Sequence, residues 1–224
     1  MSSRKDPLEN DCYYHVLNRG VNSEKITKTS EDAWRFMGAF EYYRFVDTPF
    51  SYKFFLDLSP VQQGIIMQQM KKDDRRYIDI ITFNWMPNHF HFLLKQNIDG
   101  GITKFIHHLS TSYSKYFNAR YRRTGSLFGS RFKSVKIENE EQLLHVNRYI
   151  HLNTYSAGIT KSFNELIQYP FSSLREYLGL DKTNIYQKDD ILYAFKDRDL
   201  YSKFLENRAE YQRSLEVIKK YILE

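Results

Sequence analysis

A β-hairpin written into residues 77–95 constrains the fold of this chain more than any other feature. Tyr77 to Trp85 is rich in β-branched and aromatic residues, as strands are. Met86-Pro87-Asn88 is a turn. The chain then returns as Asn88-His89-Phe90-His91-Phe92-Leu93-Leu94, a polar–apolar alternation. Residues i and i+2 of a strand point to one face, about 6–7 Å apart. His89 and His91 therefore share a face, while Phe90 and Phe92 point to a core behind them. Two imidazoles so placed can lean onto one metal ion. A pair of ordinary surface histidines would show the same spacing, so both readings stay open at this point.

At 224 residues the chain is long enough for one domain, or one domain with a helical extension. Its single cysteine, Cys12, excludes an intrachain disulfide framework and a multi-cysteine zinc site. That fits a reducing cytosol. No apolar stretch follows Met1 to Asp6 as in a signal peptide. No run approaches the roughly 18 apolar residues of a membrane-crossing helix. A cytoplasmic protein is expected.

The net charge is +6, and its distribution is uneven. Gly100 to Ile137 contains no Asp or Glu, but it holds Lys104, Lys115, Arg120, Arg122, Arg123, Arg131, Lys133 and Lys136. Without those eight, 25 basic residues face 27 acidic ones, so the whole positive excess lies in this window. Phe105, Tyr113, Tyr116, Phe117, Tyr121, Phe128 and Phe132 are interleaved with the cations. Cations for phosphates and flat rings for bases are what a single-strand nucleic-acid groove needs. The plainer alternative is a solvated helix face over an aromatic core, and Phe117 is expected in that core.

Around the hairpin, Tyr13 to Gly20 reads as a first strand. A helix is expected from a Ser30 cap to about Val46, with Trp34, Met37 and Phe40 inward. Ser59-Pro60 opens another helix towards Lys71. Further helices are expected at 103–121 and, from an Asn139 cap with Gln142 three residues on, to about Leu152 or Asn153. Ser130 to Ile137 is expected as a fourth strand. The order predicts an α+β fold, a ferredoxin-like antiparallel sheet with helices packed on it. Residues 1–170 would form the domain and 171–224 a C-terminal helical extension. In that extension Phe204, Tyr211, Leu215, Ile218 and Ile222 suggest one apolar stripe.

In the helix after Asn139, His145, Tyr149 and Asn153 fall at i, i+4 and i+8, along one face. Leu143, Val146 and Ile150 form a separate apolar strip that could hold it to the sheet. A tyrosine on such a face is usually a boundary residue and only occasionally a nucleophile. An amide one turn beyond it could reach the metal of the two histidines.

Here a resemblance becomes specific. Trp85-Met86-Pro87-Asn88-His89-Phe90-His91-Phe92-Leu93-Leu94 resembles the histidine–hydrophobic–histidine signature of single-tyrosine transposases of the HUH nuclease superfamily. Tyr149-Ile150-His151-Leu152-Asn153, with Ala157-Gly158 after it, resembles the tyrosine helix of the REP-associated tyrosine transposases. Tyr14-His15-Val16 with Asn18-Arg19-Gly20 is similar to their first strand, and Arg123-x-Gly125-x-Leu127-Phe128 with Arg131-Phe132-Lys133 to their basic segment. The likeness spans about residues 10–180. Thr154 stands where the family often has Pro, Gly129-Ser130 where a Gln often precedes the arginine, and residues 47–75 read as an insertion.

The resemblance implies cleavage and rejoining of single-stranded DNA at hairpin or palindromic sites. Tyr149 would be the nucleophile of a 5′-phosphotyrosine intermediate. Mg²⁺ or Mn²⁺ would be held by His89, His91 and Asn153. Arg19, Lys115, Arg122, Arg123, Arg131 and Lys133 would bind the DNA. The protein would act as a monomer or homodimer, bacterial in type and nucleoid-associated when bound to DNA. The alternatives are an inactive hairpin DNA- or RNA-binding protein and a metal-dependent hydrolytic nuclease.

Overall fold

The hairpin folds as its alternation requires. In the computed structural model, which describes residues 7–129 and 131–222 and side chains as far as Arg213, it joins two further strands. The elements are β1 (Tyr13–Arg19), α1 (Ser30–Tyr43), α2 (Tyr52–Asp57), α3 (Pro60–Asp73), β2 (Ile78–Met86), β3 (His89–Gln96), α4 (Gly101–Tyr121), β4 (Lys133–Lys136) and α5 (Glu140–Ser156). After them come α6 (Phe163–Gln168), α7 (Leu174–Tyr177), α8 (Asp189–Leu192) and α9 (Arg198–Ile222). The sheet order is β2-β3-β1-β4, every pair antiparallel, which is the ferredoxin-like order.

The strands' two-residue period decides which face each side chain meets. Phe83, Trp85, Phe90 and Phe92 are almost fully buried, and they meet Phe36 and Phe40 of α1 and Phe105 and Tyr113 of α4. Burial of so many rings makes this face the main source of hydrophobic stability. His15, Leu17 and Arg19 of β1 and His89 and His91 of β3 lie on the opposite face, over which α5 packs. Gly20 closes β1 because a Cβ there would run into the Glu24 carbonyl oxygen.

Several local expectations are corrected. α1 ends at Tyr43 rather than Val46, because Arg44 O accepts from Tyr77 N and Val46 N donates to Arg75 O, drawing the chain out of the helix towards β2. Its N-cap is Thr29. Its inner face is Ala33, Phe36 and Phe40, so Trp34 points outward at 53% exposure, its edge against Phe171. β4 is shorter than expected. Gly129 N donates to Arg19 O, yet ladder pairing resumes only at Lys133 opposite Leu17, so the intervening residues leave the ladder. Ser130 itself lies outside the described residues. On α9, Tyr201, Leu205 and Ala209 form the buried stripe, Tyr211 is exposed, and the side chains of Leu215, Ile218 and Ile222 lie outside the described residues. Phe204, on the expected stripe, packs half-buried against the core beside that buried stripe.

The C-terminal segment supports the α5 side of the sheet. Phe171 to Ser173 runs along the free edge of β2, with Trp85 N donating to Phe171 O and Ser173 N to Phe83 O. A buried polar chain then ties α9 to α5. Asn147 Nδ2 donates to Thr82 Oγ1 at 2.7 Å, which leaves Asn147 Oδ1 to accept from the Tyr201 hydroxyl at 2.7 Å. With its proton so used, Tyr201 accepts from His151 Nδ1 at 2.7 Å, and His151 Nε2 faces Ser173 Oγ at 2.6 Å. Burial holds the His151 pKa down at about 3, so the ring stays neutral. Tyr201→Phe leaves two buried polar groups without a partner. It is expected to lower unfolding free energy by about 1–3 kcal/mol. Urea unfolding checks this; an unchanged midpoint and slope would show that the network contributes nothing.

Candidate active site

The face opposite the aromatic core gathers three histidines and one tyrosine. His89 and His91 stand two apart on β3, their ring centroids 4.9 Å apart. His15 reaches them from β1, with its Nε2 2.8 Å from His91 Nδ1. Tyr149 comes from α5, its ring 5.9 Å from that of His91 and 6.0 Å from that of His15, edge-on to both. Within one chain Tyr149 thus lies beside His91 of β3 and His15 of β1.

The tautomer of His89 follows from its neighbours. Asn88 Nδ2 donates to Ser23 O at 3.2 Å, so its Oδ1 is the atom facing His89 Nδ1 at 2.6 Å. That oxygen can only accept, hence His89 carries its proton on Nδ1 and keeps a lone pair on Nε2. Burial lowers the pKa of His15 to about 4. Burial, and then the charge of Arg19, lowers that of His89 to about 4. Burial does most to push His91 well below the ordinary value, with His89, His15 and Arg19 adding to it. All three rings are neutral at pH 7, the form that ligates metals.

α5 is fixed along β2 by side chains. Asn84 Nδ2 donates to Ile150 O at 2.6 Å, while Asn147 holds Thr82. The helix thus advances in the direction of β2. Asn153 stands one turn past Tyr149 on the same helix. Asn153 is buried, and its Nδ2 has no hydrogen-bond partner among the described residues. A half-turn of that amide exchanges nitrogen for oxygen. Among the described residues no three His, Cys, Asp or Glu side chains converge as a metal site. His89 and His91, as neutral imidazoles, and the Asn153 amide carry donor atoms of the kind that could hold a divalent cation. His145 lies off this site, mostly exposed beside Glu141.

The basic window divides. Three of its cations meet acids from outside it: Arg120 lies 3.6 Å from Asp32, Arg123 3.1 Å from Glu24 and Lys136 2.8 Å from Glu9. Lys115, Arg122 and Lys133 have no such partner among the described residues. Lys115, Arg131, Asn18, Phe128 and Phe132 line a groove of about 1080 Å³ between α4 and the 125–132 segment. This groove opens on the α4 side of the sheet. Arg19, at the end of β1 opposite His89, and Lys133, opposite Leu17, lie on the histidine side. The narrow edge strand β4 separates the two groups.

His15 was not among the expected site residues, although its strand was. The signal available was a polar residue at an inward-alternating position of β1. Which β3 residue it would meet depends on the register between strands, and that is not legible locally.

The chain is similar to known proteins in sequence over one segment and in fold. The family model described as "Transposase IS200 like" matches residues 52–153, a span holding both β3 histidines, Tyr149 and Asn153. The match agrees with the likeness to single-tyrosine transposases carried by the motifs. The chain is similar in fold to a REP-associated tyrosine transposase solved bound to a REP hairpin, at 15% identity and a TM-score of 0.50, covering 84% of this chain and 90% of that one. A putative transposase from Deinococcus radiodurans R1 also matches, at 14% identity and a TM-score of 0.32, over 67% of this chain and 95% of that one. No curated protein matches. No described helix is long and apolar enough to cross a membrane.

Proposed function

We propose that this transposase-family protein cleaves and rejoins single-stranded DNA through a covalent tyrosine intermediate. The observation that carries the reading is the placement of Tyr149 against His91 across the sheet from α5. The Tyr149 oxygen would attack the scissile phosphorus and lose its proton. The bond from phosphorus to O3′ would break, and O3′ would leave as a 3′-hydroxyl after taking up a proton. One phosphodiester is exchanged for another, so the later attack of a 3′-hydroxyl on the phosphotyrosine reseals DNA without an outside energy source.

His89, His91 and Asn153 would hold Mg²⁺ or Mn²⁺, which when bound supplies a Lewis acid for a phosphoryl oxygen. Asn88 presets His89 for this by holding its proton on Nδ1. Arg19 and Lys133 are placed to neutralise phosphates beside the site. Lys115, Arg122 and Arg131 would guide the DNA from the groove side, round the β4 edge, with Arg123 joining after giving up Glu24. Of the groove's two rings, Phe132 is partly exposed and suits an unpaired base, while Phe128 is buried in the core. A hairpin, with its paired stem and unpaired flank, is the substrate shape that offers a backbone to both sides. The polypeptide would act where chromosomal DNA lies, in the cytoplasm.

The test is incubation with a panel of hairpin oligonucleotides and Mn²⁺, read on a denaturing gel. A covalent protein–DNA species is expected, absent in EDTA and restored by added Mn²⁺. Free cleaved ends with no adduct would point to a hydrolytic nuclease instead. Undiminished adduct in chelator would remove the cation from the scheme.

A further inference from the structure

His15 contributes an imidazole to the site from a different strand, and neither the family segment at 52–153 nor the paired-histidine motif contains it. Its Nε2 lies 2.8 Å from His91 Nδ1, with 5.1 Å between the ring centroids and 21° between the ring planes, so the rings meet edge to edge as an in-plane hydrogen bond requires. Between two neutral imidazoles such a contact holds one proton. It has two possible directions. If His15 donated, the His91 proton would sit on Nε2 and no lone pair would remain there. If His91 donates, its Nε2 is free to ligate, as Nε2 of His89 is. The second arrangement repeats on β3 what Asn88 does for His89. The His15 nitrogen that could have joined the cation is spent on His91.

We propose that His15 is a positioning residue whose Nε2 accepts the Nδ1 proton of His91, fixing the ring and tautomer that present His91 Nε2 to the divalent cation. Partners of this kind orient metal-bound histidines, and their loss commonly weakens metal binding about 10- to 100-fold. The inference rests on the reading that His89 and His91 hold a cation.

Calorimetric titration of the full-length, DNA-free protein with MnCl₂ tests it, together with the variants His15→Phe, His15→Gln and His91→Ala. Phenylalanine keeps a flat ring but cannot accept. Glutamine can accept through its amide oxygen. His15→Phe is expected to lose about 10- to 100-fold in Mn²⁺ affinity, and His15→Gln to stay within a few-fold of the unaltered protein. Wild-type affinity in His15→Phe overturns the proposal, as does an equal loss in both variants. Ring-nitrogen NMR of the unaltered, metal-free protein gives an answer even if His15→Phe does not fold. A protonated Nδ1 and bare Nε2 on His91 are expected; the opposite tautomer overturns the proposal. Failure of the underlying reading is distinguishable, since His91→Ala would then bind Mn²⁺ as well as the unaltered protein.

Discussion

Tyr149→Phe is expected to abolish covalent capture of hairpin DNA while leaving DNA binding intact. The substitution deletes one oxygen and keeps the ring that packs edge-on to His15 and His91. Packing is conserved because the two rings share a shape, so α5 should keep its place through Asn84, Asn147 and His151. The cations proposed to meet phosphates are on other elements and are untouched. Parallel measurement of adduct on a denaturing gel and of affinity by fluorescence anisotropy separates the two effects. An adduct that survives in Tyr149→Phe would mean that another residue is the nucleophile. The protein has 18 tyrosines, so that outcome is a real competitor.

The second large effect concerns which chain supplies the tyrosine. Mixing His91→Ala with Tyr149→Phe is expected to give no adduct. If tyrosine and histidines came from different subunits, a mixed dimer would rebuild one complete site. Within this chain α5 follows β4 after three residues and is bonded to its own β2 through Asn84 and Asn147. α9 then braces it from behind through Tyr201 and through Gln212, whose Nε2 donates to Tyr149 O at 3.2 Å. Removing the helix from its own sheet would strip several buried polar groups of partners at once, a cost of about 1–3 kcal/mol for each. Recovery of adduct in the mixture would contradict the cis arrangement.

Much of the site was legible because strands repeat every two residues. His89 and His91 had to share a face, and Phe90 and Phe92 had to be buried behind them. The i, i+4 spacing likewise put Tyr149 and Asn153 in line on α5. What escaped depended on contacts between segments distant in sequence. His15 meets His91 only through the β1–β3 register. The acid-free window looked uncompensated because Glu9, Glu24 and Asp32, which answer three of its cations, lie about 80 to 130 residues away. Trp34 was expected inside for its size, yet the helix phase is set by Ala33, Phe36 and Phe40. Tyr201 escaped for the same reason: its burial goes with the hydrogen bonds its hydroxyl makes to His151 and Asn147 of another helix.

The most direct measurement is mass-spectrometric mapping of the covalent product. The adduct formed with a hairpin oligonucleotide and Mn²⁺ is denatured, digested with nuclease and trypsin, and sequenced by fragmentation. The phosphate-bearing nucleotide remnant is predicted on Tyr149, in the peptide that begins after Arg148 and also contains Tyr155. A remnant on Tyr155 or any other residue would contradict the account, as would cleaved DNA with no remnant on the protein.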